Sequence, residues 1–71
     1  MDAKAIGEKL VSLRGGRTQE EVARAVGVST SAIGMYESGR RIPRDGIKIA
    51  LANYYDVDIQ YLFFDANVHS E

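Results

Sequence analysis

The sequence predicts an all-α protein, a compact bundle of five helices arranged around a central pair. Three observations lead to this prediction: apolar residues recur at helical spacing, capping residues precede the periodic stretches, and the chain has 71 residues and no cysteine. A chain of this length buries barely enough surface to fold alone, and without cysteine it has no disulfide or thiolate-bound metal to stabilise it. A single helical bundle with short loops is the economical arrangement.

The stretch 18–39 contains the signatures of the central pair. Thr18 followed by Glu21 forms a capping box, so a helix is expected to begin at Gln19. This helix runs directly into Gly27, and glycine is the residue best able to take the left-handed conformation that ends a helix. The first helix of the pair is therefore expected to be short.

The second helix of the pair follows almost at once. Ser29 is the expected N-cap of a helix over about residues 30–38, and Gly39 lies just past its last turn. Two short helices joined by about three residues that include a glycine form a helix-turn-helix, which can place its second helix in the major groove of DNA. The motif, at about 19–38, needs small, turn-forming and apolar residues at set positions. These positions hold Ala23, Gly27, Ile33 and Tyr36.

A longer pattern contains this motif and reads Gln19-x-x-x-Ala23-x-x-x-Gly27-Val28-Ser29, followed by Ile33, Tyr36-Glu37 and Gly39-Arg40. Over about residues 6–64 the chain strongly resembles the Cro/cI-type helix-turn-helix domains of phage and mobile-element repressors, often called the XRE family. The resemblance implies a λ-repressor-like DNA-binding domain and a transcriptional regulator, in particular a repressor. It also implies a bacterial or phage-encoded homodimer that binds a palindromic double-stranded operator without a cofactor. The link Gly15-Gly16-Arg17 is shorter than the family's usual connection.

The same resemblance implies which residues contact DNA. They are Gln19, which bonds a phosphate or braces a reading side chain, Thr30, Ser31 and Met35 on the second motif helix, and Arg44 directly after the proline. The dense positive charge of the loop itself leads us to expect a phosphate contact from at least one of Arg40, Arg41 and Arg44; the alternative is a loop that is only solvated. Arginine suits phosphate oxygens, whereas the hydroxyls and the thioether make none of the bidentate base contacts of arginine or glutamine. Much of the discrimination is therefore expected to come from DNA shape. Ser29 is expected to act mainly as a cap, with phosphate contact as a second possibility.

A first helix precedes the motif, with Asp2 as its expected cap and Gly15-Gly16 at its end. Its buried stripe is formed by Ile6, Leu10 and Leu13, at i, i+4 and i+7 spacing. Arg14 lies in the last turn, and the resemblance implies that it pairs with Glu37, late in the recognition helix. The two charges form either this partly buried ion pair or two separate solvated groups.

The charge of the chain is unevenly distributed. The formal net charge is −1, which is low for a protein that displaces counterions from phosphate. Residues 1–44 nevertheless hold eight Lys/Arg and five Asp/Glu, whereas residues 45–71 hold one lysine and five acids. A basic part followed by an acidic part is what a binder with one face toward phosphate requires.

Two further helices complete the bundle. Pro43 is expected to open the fourth, whose core face comprises Ile47, Leu51, Ala52 and Tyr55. Asp58 is expected to cap a short fifth helix that extends from Ile59 to about Phe64. Five of the six aromatic residues lie between 54 and 64, too many for so small a core. We therefore expect Phe63 or Phe64 to contribute to a symmetric homodimer, as the resemblance also implies. The alternative is that these aromatic residues are ordinary core or scattered surface residues.

Other classes of protein fit the sequence less well. An enzyme is not expected, because the single histidine, His69, lies in the tail, and the acids are spaced as caps rather than as a metal cage. No apolar run is long enough to span a bilayer, so a cytoplasmic location is expected. Residues 1–65 form one domain and 66–71 a flexible tail. The remaining alternative is a protein-interaction module, such as an antitoxin-like partner, that retains the helix-turn-helix only as scaffold.

Overall fold

The computed structural model describes residues 2–64, and every regular element in this range is helical. In chain order the helices are α1 (Ala3–Arg14), α2 (Gln19–Val26), α3 (Thr30–Glu37), α4 (Asp45–Tyr55) and α5 (Gln60–Phe64), the last a single turn of π-helix. The predicted all-α, five-helix fold is confirmed. Within the described part of the chain no helix has the length and apolar character required to cross a membrane. The tail expected at 66–71 lies outside the described residues.

The first three helices begin where the capping residues predicted. Asp2 Oδ1 accepts hydrogen bonds from the backbone N–H groups of residues 4 and 5 at 3.1 and 3.2 Å. At α2 the capping box is complete, since Thr18 Oγ1 accepts from the Glu21 N–H at 3.0 Å and Glu21 Oε1 accepts from the Thr18 N–H at 3.3 Å. Ser29 Oγ accepts from the Ala32 N–H at 3.0 Å. Local side-chain chemistry therefore fixes these three starts.

The fourth helix differs from the prediction at its start, and the fifth consists mainly of a π-helical turn. Pro43 does not open α4, because Arg44 is extended (φ −66°, ψ 165°) and serves as the N-cap, so the helix begins at Asp45. Pro43 is instead buried below the loop. The predicted fifth helix is present, since Ile59 is helical and the π-helical turn Gln60–Phe64 follows it directly. Asp58 Oδ1 accepts from the Gln60 N–H at 3.4 Å, as its expected capping role requires.

One hydrophobic core joins all five helices. It consists of Ile6, Leu10, Val22, Ala23, Val26, Ala32, Ile33, Tyr36, Leu51, Ala52, Leu62 and Phe63. Leu13, Ile47 and Tyr55, which the sequence assigned to the core, are partly buried against it. A core of this size leaves little apolar area to spare, so close approach between the backbones contributes strongly to packing.

Phe63 corrects a prediction made from the sequence. It was one of two residues expected at a dimer contact, but its side chain is only 1% exposed and belongs to the core. Lys48, which the sequence analysis did not assign to the core, is buried beside it at 9% exposure. The Lys48 ammonium lies 5.9 Å from the Phe63 ring centroid and 5.4 Å from that of Phe64, within reach of cation–π attraction. Phe64 remains 38% exposed.

Helix α1 packs very closely on the C-terminal end of α3. Gly7 is buried there, and a Cβ atom at this position would lie 2.9 Å from the carbonyl oxygen of Tyr36. Gly39, with φ of 80°, ends α3 beside Lys4, whose Cα would lie 3.1 Å from an added Cβ. Both positions need glycine because backbone fills the space that a side chain would occupy. The end of α3 is therefore fixed against α1.

Replacing Gly7 with alanine tests this contact. The added methyl group would collide with the α3 backbone, so Gly7→Ala should lower the free energy of unfolding by about 1–3 kcal/mol, measured by denaturant titration. Gly16→Ala is the matched control, since no atom lies within 4 Å of its added Cβ and its φ is not positive. It should be neutral or stabilise by about 0.4–1 kcal/mol. Equal stability of the two variants would contradict the packing described.

Candidate nucleic-acid interface

Helix α3 has one buried side and one open side. Its underside is formed by Ala32, Ile33 and Tyr36, which are 8%, 2% and 6% exposed. Thr30 and Ser31, in its first turn, are exposed. Met35 is partly exposed one turn later. The helix is therefore anchored along one stripe and presents a row of small polar groups and a thioether to the outside.

The turn before α3 sets the angle between the two motif helices. Gly27 takes the left-handed conformation with φ of 83°. Its N–H donates to the Ala23 carbonyl at 2.9 Å, and the next N–H, from Val28, donates to the same carbonyl at 3.0 Å. Only three residues separate α2 from α3, and Ala23 is 3% exposed. The glycine turn and the small buried residue together produce the bent helix pair of a helix-turn-helix.

The carboxylate of Glu37 ties the end of α3 to both preceding helices. Arg14 Nε donates to Glu37 Oε2 at 2.7 Å, and Gln19 Nε2 donates to Glu37 Oε1 at 2.9 Å. The Glu37 side chain is only 6% exposed, whereas that of Arg14 is 22% exposed. Each carboxylate oxygen thus receives a donor from a different helix, as a buried charge requires.

The ionisable groups next to Glu37 are either positively charged or neutral. The hydrogen bond to Glu37 raises the pKa of Arg14, so the guanidinium stays charged. Burial raises the pKa of the nearby Tyr55 hydroxyl to about 12, and the Glu37 carboxylate adds to that rise. Tyr55 therefore remains neutral at physiological pH and adds no second negative charge beside Glu37.

The loop after α3 carries the strongest positive charge. Arg40, Arg41 and Arg44 are all exposed. Among residues 2–64 none of the three makes an ion pair, whereas Arg14, Arg24 and Lys48 do. Their guanidinium groups are therefore available to an external anion, for which the planar fork of arginine is well suited.

An open groove of about 390 Å³ lies beside this loop. Its walls are the helix-turn-helix turn, Tyr36, the loop segment with Arg41 and Arg44, and the first turn of α4. Arg44 caps α4 through its backbone alone, with no side-chain hydrogen bond to the first turn. Unpaired N–H groups of that turn carry the positive end of the helix dipole, so the groove is suited to an anion.

The structure separates the residues expected at DNA into three groups. Thr30, Ser31 and Met35 lie on the open side of α3, and the three loop arginines lie beyond its end. Gln19 and Ser29 are engaged within the chain, as a donor to Glu37 and as the cap of α3. Sequence reasoning missed Gly7 and the groove, because both depend on contacts between distant segments. The burial of Lys48 could have been predicted from the sequence, because Lys48 precedes the core residues Leu51 and Ala52 by three and four positions and therefore lies on the same side of α4.

Comparison with known proteins gives the same assignment as the geometry. The family model described as helix-turn-helix, HTH_3, matches residues 3–62. The chain belongs to this family, the XRE-type helix-turn-helix proteins. It is accordingly a DNA-binding transcription regulator of the non-enzymatic kind, and its family implies binding to double-stranded DNA. Among curated proteins, none has a sequence that matches this chain significantly.

Two solved structures resemble the chain closely. The restriction-modification controller protein C.AhdI from Aeromonas hydrophila is 31% identical with a TM-score of 0.78, over 87% of this chain and 93% of that one. The SOS-response transcriptional repressor LexA from Eubacterium rectale is also 31% identical, with a TM-score of 0.81, over 100% of this chain and 79% of that one. The TM-scores and coverages show that the fold is shared along nearly the whole chain.

The Glu37 contacts can be tested by stability. Glu37→Ala leaves Arg14 without its partner and removes the link between three helices, so it should lower the free energy of unfolding by about 3 kcal/mol. Glu20→Ala is the control, because its 3.4 Å pair with Arg24 is exposed on both sides and should be worth at most about 0.5 kcal/mol. Chemical denaturation measures both. A Glu37→Ala loss no larger than that of Glu20→Ala would mean that the buried pair does not hold α3.

Proposed function

We propose that this protein is a sequence-specific regulator, in particular a repressor, that inserts the helix of about residues 30–38 into the major groove of duplex DNA as a homodimer. The proposal is carried by one observation, namely which parts of α3 are held by the rest of the chain and which parts are exposed. Its underside and its C-terminal end are both held by the rest of the chain, whereas Thr30 and Ser31 remain open to solvent beside a loop of unpaired arginines. In this proposal residues 1–65 act as one DNA-binding domain.

The proposed contacts divide by chemistry. Thr30 and Ser31 offer hydroxyls that donate to or accept from several base edges, and the Met35 thioether packs against thymine methyl groups. Since none of these is a bidentate reader, much of the sequence preference would arise from DNA shape and deformability. Arg40, Arg41 and Arg44 would contact phosphates, which position the protein on the duplex.

Gln19 and Ser29 take supporting roles in this proposal. Gln19 lies at the first position of α2, and a Cβ atom at Gly34 would lie 3.8 Å from its Oε1 atom. Its amide therefore lies alongside the recognition helix while it donates to Glu37, which supports a bracing role close to the DNA surface. Ser29 caps α3 through its hydroxyl, and a phosphate contact there would be additional.

Phe64 is the residue of the Phe63/Phe64 pair that remains exposed, and we propose that it contributes to the dimer contact. Tyr61 and Phe64, three residues apart on α5, are 44% and 38% exposed, and Ile49 on α4 is 52% exposed. Exposed aromatic groups on the last helix of a small domain favour a contact surface. A symmetric pair would place two recognition helices about one helical turn of DNA apart, which matches a palindromic operator.

The names of the two structural neighbours support a role in gene control. One is a controller of a restriction-modification system and the other is a transcriptional repressor. The competing proposal is an antitoxin-like interaction module, for which the acidic part after residue 44 would be the working surface. The two differ in salt dependence, since a DNA reader loses affinity for duplex steeply as salt rises and an interaction module shows no such binding.

Selection from a random duplex library tests the proposal as a whole. A dimeric reader should enrich an inverted repeat whose half-sites lie about one turn apart, and binding to that duplex should weaken steeply with salt. Failure to enrich any sequence, together with salt-independent or undetectable duplex binding, would favour the interaction module.

Point variants separate readers from phosphate contacts. Thr30→Ala or Met35→Ala should relax preference at particular operator positions by about 1–3 kcal/mol each. Arg44→Gln should instead weaken all duplexes alike and reduce the magnitude of the salt slope by about 0.9. Fluorescence anisotropy on a panel of operator variants at several salt concentrations measures both effects. Unchanged binding-site profiles would remove Thr30 and Met35 from the reading surface.

Dimerisation is tested at Phe64 with a matched surface residue. Phe64→Ser should weaken self-association in sedimentation velocity, because it removes an exposed aromatic group from the proposed interface. Ile42→Ser is the control, since Ile42 is also 38% exposed but lies in the loop after α3. A wild-type chain that is monomeric at high micromolar concentration without DNA would restrict pairing to the operator.

A further inference from the structure

The hydroxyl of Tyr36 has an unusual position for a core residue. Tyr36 is 6% exposed, yet among residues 2–64 its hydroxyl has no hydrogen-bond partner. Over the same range no fully buried side-chain nitrogen or oxygen lacks a partner, so this hydroxyl must reach accessible space. A tyrosine that buries its ring normally satisfies its hydroxyl. The accessible hydroxyl is therefore free to donate to water or to an external acceptor.

The accessible space next to Tyr36 is the groove beside the loop. Side chains on a helix lean toward its N-terminus, so the Tyr36 ring runs back from its Cα toward the turn that precedes α3. Val28 in that turn and Tyr36 both line the groove. Since the hydroxyl reaches accessible space and Tyr36 lines the groove, the groove is where an external ligand can reach this hydroxyl.

The lining of the groove combines the apolar side chains of Val28, Ile42 and Ile47 with several hydrogen-bond donors. Arg41 and Arg44 line it, and so does Gly46 in the first turn of α4. Within the described chain the backbone N–H groups of residues 45–47 donate no hydrogen bond to a carbonyl, since the first helical bond of α4 runs from the Lys48 N–H to the Arg44 carbonyl. The lining contains no carboxylate side chain among the described residues. The Asp45 carboxylate, close by in sequence, is paired with Lys48 at 3.4 Å.

We infer that the groove binds one phosphate group and that the Tyr36 hydroxyl donates a hydrogen bond to it. Guanidinium groups, helix N–H groups and a hydroxyl converge on one space, and a phosphate offers several acceptor oxygens with negative charge. The occupant is a phosphodiester of the duplex that α3 reads, because the arginines of the groove belong to the segment that directly follows α3. This assignment rests on the proposed function and adds Tyr36, otherwise a core residue, to the phosphate contacts.

The variant Tyr36→Phe tests the assignment. It keeps the ring and removes only the hydroxyl, so the thermal unfolding midpoint should stay unchanged while the Kd for an enriched duplex rises about tenfold. The salt slope should not change, because a neutral donor displaces no counterion. Tyr54→Phe is the matched control, which removes a hydroxyl eight residues beyond Gly46, about 12 Å along α4. It should bind as the wild type does.

A phosphate-neutralised duplex identifies the partner atom. Single methylphosphonates are placed along the duplex in turn, and one position should weaken the wild type strongly. At that position Tyr36→Phe should cause no further loss of affinity, since the acceptor has been removed for both proteins. Additive losses at every position would overturn the inference.

Inorganic phosphate distinguishes the source of the ligand. Nuclear magnetic resonance of the wild type should show the Gly46 amide and the Tyr36 ring shifting on duplex addition, with little response to millimolar inorganic phosphate. A wild type that binds duplex with steep salt dependence, but no better than Tyr36→Phe, would overturn this inference and leave the proposed function intact. A wild type that binds no duplex, yet shifts Gly46 with inorganic phosphate, would overturn the DNA assignment and the proposed function together. If Tyr36→Phe fails to fold, these wild-type shifts and the methylphosphonate scan still decide the matter.

Discussion

The carboxylate of Glu37 is the constraint on which the arrangement of α3 depends. A helix of eight residues is marginal by itself, and a negative charge at its C-terminal end opposes the helix dipole. The donors from Arg14 and Gln19 offset that cost and connect α3 to α1 and α2 at the same point. Gly7 makes this geometry possible, because α1 reaches the α3 backbone only where no side chain intervenes.

Fixing the underside and the end of α3 leaves its first turn free for recognition. Thr30 and Ser31 are open to solvent because the core needs only every third or fourth residue of so short a helix. The loop arginines follow at once, whereas the lysine of α4 is withdrawn into the core beside Phe63. Three arginines without an ion pair in the described chain thus lie together in the loop after α3, and a net charge of −1 is compatible with binding a polyanion.

Local signals in the sequence predicted most of the fold. Capping by Asp2, Thr18 and Ser29 and the glycine at position 27 placed the first three helices, because each depends on residues only a few positions apart. Contacts between segments that are distant in the sequence could not be predicted in this way. The burial of Phe63 in place of Phe64 depends on how α5 docks, and a π-helical turn changes which side chain faces inward.

The candidate site shows the same division between local and distant information. The residue types at Thr30, Met35 and Arg44 marked the surface, since polar and basic positions could be assigned from helical spacing and the resemblance. The bond from Gln19 to Glu37 and the groove that Tyr36 shares with Arg44 arise only when separate helices meet. No periodicity in the sequence encodes the direction of the Tyr36 hydroxyl.

The most direct test of the account is the structure of the protein bound to a duplex enriched from a random library. The account predicts α3 in the major groove with Thr30 and Ser31 against base edges, while Glu37 keeps its bonds to Arg14 and Gln19. A complex in which the outer side of α3 faces away from DNA, or is covered by a second protein chain, would contradict it.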